Sequence, residues 1–196
     1  MSRAALLALT AALVAGCGSS PELRFYTLSA DGALSVGSAS VPPAVAAYSV
    51  SIGPVSVPEI VDRPQFVVTL AVNQVEFAEQ ARWAEPLKSA IPRVIAANLA
   101  QTLGDARVFT FSAEADYRVL VDIQRFESVR GDAVTVDAAW SVRPSKEGAP
   151  RNGRTVVREA VNGKDYEGLA AAHSKALATL SDEIAQTVRA HQVARK

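Results

Sequence analysis

The chain has 196 residues, of which 49 % are hydrophobic, with 20 Lys plus Arg against 20 Asp plus Glu and a single cysteine. Balanced charge with no run of either sign argues against a nucleic-acid footprint, which shows as a basic patch or a high pI, and against a polybasic membrane tether. One cysteine allows no internal disulfide, and no stretch reaches the ~20 uninterrupted apolar residues of a membrane-spanning helix.

Arg3 precedes an apolar run over residues 4–15, broken only by Thr10, and Leu13-Val14-Ala15-Gly16-Cys17 closes it with small residues before the cysteine. A charged start, a short apolar core and small residues at a cleavage point make a secretory signal. With Cys17 directly after the cut, residues 1–16 read as a lipoprotein signal peptide. The Cys17 thiolate is the nucleophile that takes up a diacylglycerol, and after cleavage it is the acylated first residue, with palmitate-type chains as its covalent lipid. The plainer alternative, an ordinary secretory leader, leaves a spare thiol without a purpose. Two or more acyl chains anchor stably where one is marginal. Residues 17–23 are then a lipidated tether, whose last six residues reach at most about 20 Å, and residues 24–196 are a single α+β periplasmic domain.

Arg24-Phe25-Tyr26-Thr27-Leu28 opens that domain as a β-branched and aromatic strand. Residues 29–44 are rich in Ser, Gly and Ala and end in Pro42-Pro43, a surface excursion. Residues 45–57 alternate through Val50, Ile52, Val55 and Val57, interrupted by Gly53-Pro54, which predicts a strand with a bend or bulge. A turn-rich segment over 58–64 leads into a strand over 65–72, with 74–78 as its hairpin arm.

From Trp83 the period is helical: Leu87, Ile91, Val94, Ile95, Leu99 and Leu103 share one face, and Gly104 stops it. Pro92 conflicts with that helix, so either Ser89 caps a new start or the first turn kinks. A short strand follows over 107–111. Tyr117, Val119, Val121 and Ile123, then Val134, Val136, Ala138, Trp140 and Val142, alternate on either side of Arg130-Gly131-Asp132 and predict a long antiparallel hairpin with one buried face. Phe126 breaks the odd-numbered pattern and marks a bulge. Residues 144–153 form a polar loop, 155–161 a further strand, and Asp165 caps a long final helix with Leu169, Ala176, Leu177, Leu180, Ile184 and Val188 as its apolar stripe. The expected fold is α+β, a mostly antiparallel or mixed sheet with two main helices packed on one face.

Chemistry has no visible carrier in these residues. His173, near the apolar stripe, reads as a partly buried structural residue, and His191 as part of a fraying tail. No Cys or His cluster has metal-ligand spacing, no serine sits in a nucleophile elbow, and no glycine-rich loop opens a helix for phosphate. The carboxylate pairs Glu76/Glu79 and Asp182/Glu183 sit among polar residues and read as solvated. Neither an enzyme, a cofactor nor a metal is therefore expected. Two segments are less generic: Asp62-Arg63-Pro64, and Arg82-Trp83-Ala84-Glu85-Pro86 before the first helix. Trp83 folded under the helix and an Arg82–Glu85 pair give them a structural reading. Arg and Trp are also enriched where partners bind most tightly, which makes Asp62, Arg63, Pro64, Arg82, Trp83, Glu85 and Pro86 a candidate partner surface.

The cysteine motif, Arg24 to Leu28, Ile52-Gly53-Pro54-Val55, Val57-Pro58, Asp62-Arg63-Pro64, Arg82 to Leu87, Asn98-Leu99 and the Phe126 and Trp140 strands occur in an order that resembles the ABC-type transport auxiliary lipoprotein family. The resemblance implies work beside an ABC ATPase, a permease and an MCE-domain protein of an intermembrane lipid transporter, in support of membrane integrity. It also implies ring-like self-assembly. Gly18, in place of the aspartate that retains lipoproteins in the inner membrane, points by the same resemblance to the outer membrane, facing the periplasm. A compact domain of this size has a radius of gyration of ~16 Å and cannot cross the periplasm, so it suits the fixed end of a longer partner. The implied role is a non-catalytic docking subunit. The alternatives are a periplasmic carrier that holds a lipid between sheet and helices and, more remotely, a hydrolase.

Overall fold

A computed structural model describes residues 22–30, 47–112, 114–146 and 148–193. Cys17, the leader, most of the tether and the Ser/Gly/Ala-rich excursion over 31–46 lie outside the described residues. The chain order is β1 (Arg24–Tyr26), β2 (Tyr48–Ser56), a 3-10 turn (Glu59–Val61), β3 (Gln65–Ala71), β4 (Gln74–Trp83), α1 (Leu87–Leu103), β5 (Ala106–Phe109), β6 (Tyr117–Ser128), β7 (Ala133–Pro144), β8 (Arg151–Ala160) and α2 (Tyr166–Val193). The fold is α+β, as expected.

The strands divide between two mixed sheets. A five-stranded sheet has the order β5-β2-β6-β7-β8 and a three-stranded sheet the order β1-β4-β3. In the first, the alternation of β6 and β7 puts Tyr117, Val119, Val121, Ile123, Val134, Val136 and Val142 into the core, where α2 packs on β6 and β7 while α1 lies on β2 and β5. The two expected irregularities are present. The β2/β6 register shifts between Ile52 and Val55, and the β6/β7 register between Ile123 and Arg125, just before Phe126. At the first of these a side chain on Gly53 would meet the Leu120 Cδ2 methyl at 2.6 Å and the Val119 carbonyl at 3.2 Å, so glycine eases the close approach of β2 to β6.

Helix α1 buries Leu87, Ile91, Val94, Ile95, Leu99 and Leu103, and ends at Gly104 in the left-handed region at φ 67°. Ser89 does not cap it. The Ser89 and Ala90 amides both donate to the Pro86 carbonyl, at 2.8 and 2.9 Å, and the helix runs on through Pro92. An interior proline costs about 3 kcal/mol, but each fully buried Leu or Ile contributes roughly 1.5–3 kcal/mol, so the apolar face outweighs it. Asp165 caps α2 as expected, accepting from the Gly168 amide at 2.8 Å. His191 does not fray. It is buried within α2, with its ring 6.0 Å from that of Tyr117.

The strand over 74–78 is longer than its sequence suggests, continuing to Trp83. Between Val67↔Phe77 and Gln65↔Arg82 the hairpin register jumps, so residues 78–81 bulge and break the alternation that would have marked them as strand. β1 then lies parallel to the far half of β4, Arg24 beside Ala81 and Tyr26 beside Trp83.

Candidate functional site

Two segments that are twenty residues apart in sequence meet at one end of the three-stranded sheet. Because β3 and β4 are antiparallel, the start of one abuts the end of the other, and the Trp83 amide donates to the Pro64 carbonyl at 2.7 Å. The Ala84 amide extends the join to β1 through the Tyr26 carbonyl at 2.8 Å. Asp62, Arg63, Pro64, Trp83, Ala84, Glu85 and Pro86 line a surface cleft of about 380 Å³. Six of the seven residues singled out in the sequence are on its wall. The seventh, Arg82, is not on it and sits on β4 at the strand position between Phe25 and Gln65.

Side-chain pairing differs from the local pair expected within 82–85. Glu85 accepts from Arg93, whose guanidinium also donates to the Leu28 carbonyl at 3.0 Å, and Lys88 bonds Asp62 at 2.6 Å. Helix α1 therefore clamps both motifs. Arg93 lies eight residues beyond Glu85, outside the three- and four-residue steps that sequence reading can use, and Lys88 reaches across the cleft instead of back to Glu85. Ala84, inside the segment singled out but not among its candidate residues, also lines the cleft, with no chemistry to mark it. Arg63 lies over the Phe77 ring, 3.9 Å from its centroid, a cation–π arrangement that leaves its charge at the cleft without a carboxylate.

Trp83 forms the cleft's floor and belongs to the core as well. It is the last residue of β4, not a staple under the helix, and is only 6 % exposed. Its ring stacks on Phe66 at 3.9 Å, and edge contacts link it to Phe126 and His173, each at 6.2 Å. Phe66 in turn meets Tyr26 and Tyr166. This aromatic cluster joins the two sheets and α2 beneath the cleft.

His173 lies behind it, fully buried and stacked on Phe126 at 3.8 Å. Its Nε2 shares a hydrogen bond with Ser128 Oγ at 2.9 Å, while its Nδ1 is buried with no partner. Burial pushes its pKa down from 6.5 to about 3, so the ring is neutral at ordinary pH. A serine beside a histidine could suggest a nucleophile and base, but no carboxylate orients this ring and no solvent reaches it. Its role is to fill the aromatic cluster. No group of three or more metal-ligating side chains occurs among the described residues.

The sequence profile of a family described as ABC-type transport auxiliary lipoprotein component matches residues 26–185. A comparison with curated proteins finds no match. Among solved structures, a protein from Xanthomonas campestris assigned to family DUF330 is similar at TM-score 0.69 and 18% identity, over 88% of this chain and 99% of that one. Another, described as an uncharacterised protein, is similar at TM-score 0.67 and 18% identity, over 85% and 99% of the two chains. At such identity the likeness speaks for the fold.

Proposed function

Because the chain belongs to the ABC-type transport auxiliary lipoprotein family, matched over residues 26–185, we propose that it is a non-catalytic outer-membrane subunit that docks the periplasmic MCE-domain component of a lipid transporter. The observation that carries this reading is the convergence of Asp62-Arg63-Pro64 and Trp83 to Pro86 on one cleft. A buried aromatic floor, two prolines and an arginine without a carboxylate form a cleft that a partner could desolvate, the setting in which binding energy concentrates. The partner is an acidic or apolar protein segment. A lipid carrier would need an apolar cavity of several hundred Å³ between sheet and helices; among the described residues the void beside Phe66 and Phe126, where the two sheets meet, is about 10 Å³.

Retention of the MCE-domain protein from detergent-solubilised membranes tests the surface. Arg63→Ala with Pro64→Ser should weaken it at least about tenfold, as loss of hot-spot contacts does. Unchanged retention in a normally folded variant removes the cleft from the proposal. Stoichiometric phospholipid on the delipidated protein in native mass spectrometry would favour the carrier.

The anchor has its own test. Cys17→Ser offers a hydroxyl too weakly acidic to form the reactive anion that a thiol supplies. Acylation and cleavage should both fail, leaving the uncut leader in the inner membrane and abolishing transport while residues 24–196 still fold. If the variant still fractionates with the outer membrane, protein contacts and not the lipid hold it there.

A further inference from the structure

The β3–β4 hairpin projects from the domain. Every residue from Leu70 to Phe77 is exposed, so both faces of its tip stand clear of the body. Yet the tip is apolar. Leu70, Val72, Val75 and Phe77 are all exposed, Val72 at 97 %, and residues 69–75 carry no charge. The turn does not explain this. Ala71 pairs with Gln74, so Val72 and Asn73 form a two-residue loop, a place where Gly, Asn or Asp supply the backbone freedom and a β-branched apolar residue supplies none.

Strand direction supplies the second observation. β1 is parallel to β4, with Arg24 beside Ala81, so the chain enters β1 from the side of the hairpin turn. Cys17 stands seven residues before Arg24, a span of at most ~25 Å. From Ala81 to Asn73 the hairpin arm covers eight residues, ~26 Å at strand rise and somewhat less with the bulge. An extended tether would therefore bring Cys17 to the level of the tip, at the same end of the three-stranded sheet.

We propose that the hairpin tip, Leu70 to Val75, is a second membrane contact that inserts into the headgroup and acyl boundary of the bilayer to which Cys17 anchors the chain. The uncharged part of the tip spans three residue pairs, ~10 Å, within the depth to which interfacial elements bury their apolar side. Glu76 and Glu79, further along β4 from the turn, set the limit of insertion. A lipid anchor alone leaves the domain free to tumble about its tether. Two contacts fix its orientation, with the cleft at the far end of the sheet and facing the periplasm.

This contact rests on the anchor reading, and the experiment separates the two. The full acylated chain, with the acyl group verified by mass, is reconstituted into vesicles of phosphatidylethanolamine and phosphatidylglycerol. An environment-sensitive thiol label is placed by Val72→Cys or, as control, by Val156→Cys on β8, which is exposed in the other sheet. The expected result is a blue shift at position 72 and a loss of its emission with lipids brominated near the headgroup, with neither at position 156. Acylated protein whose label at 72 is as open to aqueous iodide as that at 156 overturns the hairpin contact and leaves the anchor standing. Shielding at 72 that grows with protein concentration in the absence of vesicles assigns the tip to a second copy and also overturns it. A chain without an acyl group at Cys17 overturns both.

Discussion

Trp83→Ala is expected to destabilise the domain by about 3–5 kcal/mol, the range for deleting a buried aromatic. The indole is 6 % exposed and stacks on Phe66, and its removal also strips Phe126 and His173 of a neighbour. For a domain of this size the melting temperature should fall by roughly 10 °C. Trp83→Phe keeps the stack on Phe66 and should cost much less. The consequence for mapping the partner surface is direct: loss of binding in Trp83→Ala reports a damaged core, whereas loss in Arg63→Ala reports a lost contact. An unchanged melting temperature for Trp83→Ala would show that the ring serves the cleft and not the core.

Acid is expected to unfold the domain through His173. Its folded pKa of about 3 lies below the 6.5 of the unfolded chain. Between those values the unfolded state holds a proton that the folded state refuses, so stability is fully present above pH 6.5 and falls as pH drops toward 3. At about 1.4 kcal/mol per pH unit, roughly 3 kcal/mol is gone by pH 4. His191, also shifted down by burial and by Arg151, adds to the loss with the same sign. Denaturant titrations at several pH values check this: His173→Gln, which cannot titrate, should flatten the dependence whatever its own stability at pH 7. An equal slope in the variant would move the acid sensitivity elsewhere.

Much of the fold was legible because one buried face imposes a period. Tyr117 to Ile123 and Val134 to Val142 alternate cleanly since the opposite face is wet, and the stripe Leu169 to Val188 shows at helical spacing for the same reason. Residues 79–83 were illegible as strand because a bulge destroys the alternation and both sides of the preceding hairpin are exposed. The division into two sheets was hidden too. It depends on parallel pairings between distant segments, β1 with β4 and β2 with β5 and β6, to which no local turn points.

The candidate site was legible as residue types and not as a place. Asp62-Arg63-Pro64 and Trp83 to Pro86 stand out as unusual sequence, but only the antiparallel β3–β4 pair makes them one wall. Lys88 and Arg93, which fix that wall, sit on the exposed face of α1, where charges are ordinarily solvated. His173 was read correctly as structural, though less buried than it is, because a histidine on an apolar stripe does not reveal how many rings surround it.

The parallel pairing of β1 with β4 has a mechanical meaning. Under the proposed anchoring and docking, the subunit is a link under tension between a lipid at one end and a partner at the other. A pull from the proposed anchor, entering at Arg24 along the strand, would load the β1–β4 hydrogen bonds together in shear and would not unzip them one at a time. Behind them the chain is pinned twice more, by the buried Leu28 side chain and by Arg93 on its carbonyl. A three-residue strand is a weak element by length, but under force in this direction it yields only when the whole set breaks at once.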